Sequence, residues 1–279
     1  MFSPYEISEL QEKLLSRRPH DDSLKYTLAQ TLRRYTYDSY TYKYPDADFA
    51  PAVRRAMELY VQIKEQEENS PDLRGTAAAK LGKILSRQRN KHIKNAVEAE
   101  RCRLELTADR CFEEALGLAE KNPAVLVCAG KYFRQQKKLT KSRELLQKAV
   151  DLRPEPKAHH QLGITLRQLA LQEMSPGHAG AHQGYSRNQG SYPRAQGNQR
   201  DRRQQGFNPQ AAAATVSTPR LYRDGKYVQE AIEHLHKSLE LFDGEHNFAL
   251  HDLGLMHFDL GEYDQALQQF HKLLDIFFN

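Results

Sequence analysis

The sequence predicts an all-α solenoid of about five helical hairpins with one long interruption. Three observations carry that reading. Apolar residues recur at helical spacing along most of the chain, and the two-residue alternation of a half-buried strand is scarce. The periodic segments come in pairs joined by turns. Between Ser175 and Arg220 the aliphatic residues almost vanish, which breaks the array.

At the front, Ser3-Pro4-Tyr5-Glu6 has capping-box spacing with proline at the first helical position, so a short leading helix is expected. SLKYTLAQTLRRY and FAPAVRRAMELYVQIKEQ form a first pair around the connection YTYDSYTYKYPDAD. TAAAKLGKILSRQ and TADRCFEEALGLAEK form a second. Between them RNKHIKNAVEAERCRLEL reads equally as loop or extended helix. Leu126, Ala129, Gly130 and Phe133 mark the first helix of a third pair, and Ser142, Leu146, Ala149 and Pro154 its second. His159, Leu162, Gly163 and Leu166 open a fourth. Its second helix arrives only at Ala231, Leu235 and Ser238. A fifth pair runs through Leu250, Leu253, Gly254 and His257, turns at Gly261-Glu262, and returns through Tyr263, Ala266, Phe270, Leu273 and Leu274. The Leu, Gly, Ala and Phe among these positions are read as core. The pattern resembles the tetratricopeptide repeat, with its period of about 34 residues. The chain then divides into helical repeats over 1–174, an insertion over 175–220 and further repeats over 221–279.

The insertion carries Arg187, Arg194, Arg200, Arg202, Arg203 and Arg220 against Asp201, with Tyr185, Tyr192 and Phe207 scattered through it. Such a segment cannot bury enough apolar surface to offset chain entropy, so disorder is expected. It is either a tolerated loop or a basic arm that grips nucleic acid.

Composition sets the context. The 279 residues include 41 basic and 36 acidic ones, for a net charge of +5. Three cysteines, Cys102, Cys111 and Cys128, form no CxxC pair and read as small buried apolar residues of a reduced protein. No signal peptide and no apolar stretch near the ~18 residues of a membrane span is visible. A cytoplasmic protein without membrane contact is expected.

In the tetratricopeptide family, the second, fifth, ninth, twelfth and thirteenth repeat positions face a concave groove. That frame selects Ser23, Tyr26, Gln30, Arg33 and Arg34, then Thr76, Ala79, Lys83, Ser86 and Arg87. Next come Ala124, Val127, Lys131, Arg134 and Gln135, then Lys157, His160, Ile164, Arg167 and Gln168. The last set is Phe248, His251, Leu255, Phe258 and Asp259. Eight of these side chains are Lys or Arg and one is acidic, although the whole chain is nearly balanced. A basic groove focuses potential on an anion: RNA, an acidic peptide or an acidic protein surface.

From about residue 107 onward the chain resembles the interferon-induced proteins with tetratricopeptide repeats. Ala158-His159-His160-Gln161-Leu162-Gly163 matches a family helix opening, and the family interrupts its repeat after that same helix. AGKYFRQQKK and ALHDLGLMHFDLG are similar to further family segments. The resemblance implies antiviral innate immunity through binding of single-stranded RNA, by its 5′ end, in a basic tunnel. It implies that His160 and Gln161 contribute to the tunnel. Two basic family positions fall here on Val127 and on Phe242 or Asp243, which leaves less charge for a terminal phosphate.

No chemistry of catalysis stands out. A Gly-rich phosphate loop after a strand, HExxH and GxSxG are all missing from the sequence, and the histidines lack metal-ligand spacing. The expectation is no enzyme, no cofactor, no metal and no small-molecule substrate. The competing reading is a scaffold that binds other proteins through its repeat surfaces. The chaperone-binding clamp of such scaffolds needs Asn at the ninth position. The chain has Gln30, Lys83, Lys131, Ile164 and Leu255 there.

Overall fold

The computed structural model describes residues 4–35, 49–86, 91–174, 221–242 and 246–278. Among them are twelve α-helices and no strand. The chain divides into two compact units, residues 1–161 and 162–279. The insertion between 175 and 220, with its expected disorder, lies outside the described residues.

In the first unit, α1 (Pro4–Arg17) begins on the predicted proline. Then α2 (Asp22–Tyr35) pairs with α3 (Ala50–Glu65). Further along, α4 (Pro71–Ser86) pairs with α6 (Ala108–Leu118), and α7 (Pro123–Gln135) with α8 (Leu139–Leu152). The stretch left open between the second pair is a separate helix, α5 (Lys91–Arg103), which packs against α3. It buries Ile93, Ala96 and Val97 and little else, which is why its periodicity is faint.

Helix starts follow ordinary capping chemistry. Asp21 accepts from the Leu24 N–H at 2.9 Å, and Thr107 from that of Arg110 at 3.2 Å. Asn122 accepts from Ala124 and Val125, with Pro123 at the first turn. Each bond satisfies a donor that the helix itself leaves unpaired.

The helix α9 (Pro156–Met174) crosses the division between Gln161 and Leu162. In the second unit its later turns meet α10 (Val228–Glu240), and α11 (Asn247–Asp259) pairs with α12 (Tyr263–Phe278). No described helix is long and apolar enough to cross a membrane.

One contact recurs through four hairpins. A Cβ on Gly82 would stand 2.9 Å from the Phe112 ring, and one on Gly130 2.6 Å from Leu146 Cγ. On Gly163 it would stand 2.8 Å from Leu235 Cγ, and on Gly254 2.5 Å from the Phe270 ring. Helices this close admit no side chain on the first helix. In the third and last hairpins a tight turn joins the helices. In the second, α5 intervenes, and between α9 and α10 the whole stretch from Met174 to Leu221 does. At Gly163 the split hairpin makes the same close approach as the others.

Three helices also end alike. Glu105, Lys137 and Gly261 follow α5, α7 and α11 at φ of 50°, 62° and 77°. The next N–H in each case reaches back five residues: Leu106 to Arg101, Lys138 to Phe133 and Glu262 to His257. This is the Schellman turn, for which glycine is the favoured residue.

Some expectations need correction. Leu274, read as core, is exposed. Cys102 is exposed and Cys128 half-buried. Only Cys111 is buried, and burial pushes its thiol up to about 11.

Candidate functional site

The first helices of the pairs in the first unit bring their cations together. Lys80 on α4 is half-buried and within electrostatic range of Arg33 on α2, Lys83 on α4 and Lys157 on α9. Burial lowers its pKa first. Cys128 opposes the shift, and the charges of Arg33, Lys83 and Lys157 add to it. Among the described residues no carboxylate forms an ion pair with Lys80. Like charges thus lie within range of one another on a partly dehydrated surface, a field that favours an anion.

Tyr26 sits on the same face. Burial raises the pKa of its phenol, while a hydrogen bond with Gln30 and the charge of Arg33 act the other way. Its ring meets Tyr60 edge-on at 6.0 Å. An aromatic side chain beside a cation cluster offers a base a surface to stack on.

Deeper in the same unit, Arg134, His160 and Gln161 are buried together. The Arg134 Nη2 donates to Gln161 Oε1 at 2.8 Å, and the Gln161 amide nitrogen lies 3.2 Å from His160 Nδ1. Arg134 is therefore engaged by the His-Gln pair that the family resemblance singles out.

The other candidate residues distribute as follows. Arg33, Lys83 and Lys131 are half-buried, and Arg34 and Lys157 are exposed. Arg87 lies outside the described residues, as does Asp243. In the second unit Arg167 Nε donates to Asp259 at 2.9 Å, with Nη2 on the same oxygen. The pair is nearly closed to water, at 17% and 3% side-chain exposure, so Arg167 already has its counter-charge.

Lys80 escaped the repeat frame. That frame placed Ala79 and Val127 in the groove, yet both are buried. The available signal was the i,i+3 spacing of Lys80 and Lys83, which puts the two ammonium groups on one helix face.

In the second unit, a cleft of about 460 Å³ is lined by Arg223, Ile232, His236, His257 and three glutamines, Gln265, Gln268 and Gln269. His257 Nδ1 lies 2.7 Å from Glu262, which also pairs with Arg223. Burial pushes the Glu262 carboxyl up, but its bonds to Arg223 and His257 outweigh this and leave it below the usual range.

No protein-family model matches the chain, and no curated protein matches its sequence. Solved structures do. A human IFIT1 dimer with PPP-AAAA is similar at TM-score 0.55 and 19% identity over 97% of this chain. The chain spans 45% of that protein's length. MamA from Desulfovibrio magneticus RS-1 aligns at TM-score 0.47 and 13% identity, covering 92% of this chain and 95% of its own. YrrB, a TPR protein with an unusual peptide-binding site, aligns at 0.41 and 16%, covering 96% and 93%. The repeated helix pairs, and the likeness to IFIT1, make the fold that of a tetratricopeptide-repeat protein.

Proposed function

We propose that the chain binds single-stranded RNA on the basic face of its first unit and serves antiviral innate immunity, as the interferon-induced tetratricopeptide proteins do. The observation that carries this reading is the gathering of Arg33, Lys83 and Lys157 around Lys80. The IFIT1 structure that holds PPP-AAAA supports the same class of ligand. Lys80, Lys83, Lys131, Lys157 and Arg33 meet phosphates, and Tyr26 stacks on a base. Arg134 acts through Gln161 to set His160. Binding of this kind needs no catalysis.

The test is RNA affinity of a variant lacking residues 175–220, titrated at several salt concentrations beside 5′-triphosphate and 5′-hydroxyl forms of one oligonucleotide. The expected result is affinity that falls linearly in log-log form, with a slope of about −0.7 per phosphate neutralised. Equal affinity for the two 5′ ends would assign the site to the RNA backbone alone. Absence of binding at low salt would overturn the proposal in favour of a protein-binding scaffold.

A further inference from the structure

We infer that Lys80 is a site of reversible carbamylation by carbon dioxide, and that the carbamate discharges the basic face of the first unit. The position of Lys80 on α4 is the starting point. Ala77 and Leu81 belong to a core shared with Leu28 of α2 and Tyr60 of α3. Ala78 and Ala79 belong to a second core shared with Val125 and Ala129 of α7, and Cys128 packs against it. At about 100° per residue, Lys80 and Lys83 stand within roughly 60° of each other, on the arc of α4 that neither core takes. The Lys80 stem therefore rises between two packed cores and is half-buried. Its amine lies within range of Arg33, Lys83 and Lys157, cations from three helices.

The other well-buried lysines are built differently. Lys25 meets Asp22 at 2.7 Å, and Lys64 meets Glu114 at 3.1 Å. Each has a carboxylate as its counter-charge. Among the described residues Lys80 has none. Only the neutral amine adds to carbon dioxide. Its lone pair forms the new N–C bond, one C=O π pair moves onto oxygen, and one proton leaves to solvent. The product is a carbamate anion, and no oxidant or reductant takes part. An ordinary lysine, with a pKa of about 10.4, is almost wholly ammonium at neutral pH and so unreactive. Around Lys80 the surroundings act on both sides of the reaction. Burial and the neighbouring cations disfavour the ammonium. After addition, those same cations become counter-charges for the carbamate. The side chain passes from positive to negative, which opposes binding of a second anion there. That the displaced anion is RNA rests on the proposed function. The carbamate itself does not.

The first arm of the test leaves RNA out. The full chain is equilibrated with isotope-labelled bicarbonate at fixed pH, carbamates are trapped with triethyloxonium, and the peptides are mapped by mass spectrometry beside carbon NMR. The expected result is trapped label at Lys80 at a carbon dioxide level where the other lysine side chains stay free. The NMR signal should vanish in Lys80→Arg, whose guanidinium stays protonated. No label at Lys80 in the unsubstituted protein, or label spread evenly over the lysines, overturns the proposal. The second arm measures RNA affinity against salt, with bicarbonate or chloride at equal ionic strength. Bicarbonate should weaken binding and reduce the salt slope by about 0.7, one phosphate contact on a single strand. Lys80→Arg should show no such response. A carbamate that forms without changing RNA affinity overturns the discharge of the face. No RNA binding in chloride alone would sink the RNA reading, and the first arm would still decide the carbamate.

Discussion

Arg134 sets the orientation of Gln161, and through it the tautomer of His160. A guanidinium can only donate, so the amide must turn its oxygen toward Arg134 across 2.8 Å. The amide nitrogen is then the donor to His160 Nδ1, which places the ring hydrogen on Nε2. Arg134→Met should cost about 1.5–3 kcal/mol in urea unfolding, the scale of a lost hydrogen bond to a charged group. It should also release the His160 tautomer, visible in imidazole nitrogen NMR shifts. A stability loss with an unmoved tautomer would refute the chain of orientation.

Lys80→Met should stabilise the fold while weakening RNA binding. The lowered pKa means that the charged form is less favourable folded than unfolded. This penalty is full below the folded pKa and fades as pH climbs from there toward 10.5. The stability gap between Lys80→Met and the parent, measured by urea unfolding across alkaline pH, should therefore narrow. The salt slope of RNA binding should shrink by about 0.7 if Lys80 meets one phosphate.

Lys137 and Gly261 occupy equivalent left-handed turns, and only one is glycine. Gly261→Ala should destabilise by about 1–2 kcal/mol, the cost of a side chain in that conformation. Lys137→Gly should be neutral or stabilising by up to about 1 kcal/mol, because relief of strain is partly offset by unfolded-chain entropy. Urea midpoints of the two variants check both signs.

Gly130→Ala and Gly163→Ala should cost similar amounts, about 1–3 kcal/mol each, because each drives a Cβ into a leucine of the facing helix. Pairing them with Leu146→Ala and Leu235→Ala should recover part of the loss in double-mutant cycles. A much smaller cost at Gly163 would show that the split hairpin is loosely closed.

Much of this architecture is legible in the sequence, because a glycine set against a leucine or phenylalanine at repeat positions reports a contact that four of the five hairpins make. Gly130 with Leu146 and Gly254 with Phe270 could be paired on spacing alone. The site is less legible. The alanines Ala77, Ala78 and Ala79 surround much of α4 with small apolar surface, so periodicity does not say which side faces inward, and Lys80 is missed by one residue. Arg134 and Gln161 belong to different hairpins, and their bond depends on how the hairpins stack. Asp259 looks in sequence like a lone acid in a basic groove. Its role as the partner of Arg167 is tertiary.

The α9–α10 lock around Gly163 and Leu235 has a consequence for how the chain can be assembled. Closing a longer connection costs only about 0.6 kcal/mol per doubling of its length, so the Gly163–Leu235 contact does not depend on a short link between the two helices. A chain nicked there, or synthesised as two polypeptides, should reconstitute by fragment complementation. The second fragment would then behave as a ligand whose docking completes the hairpin that α9 begins.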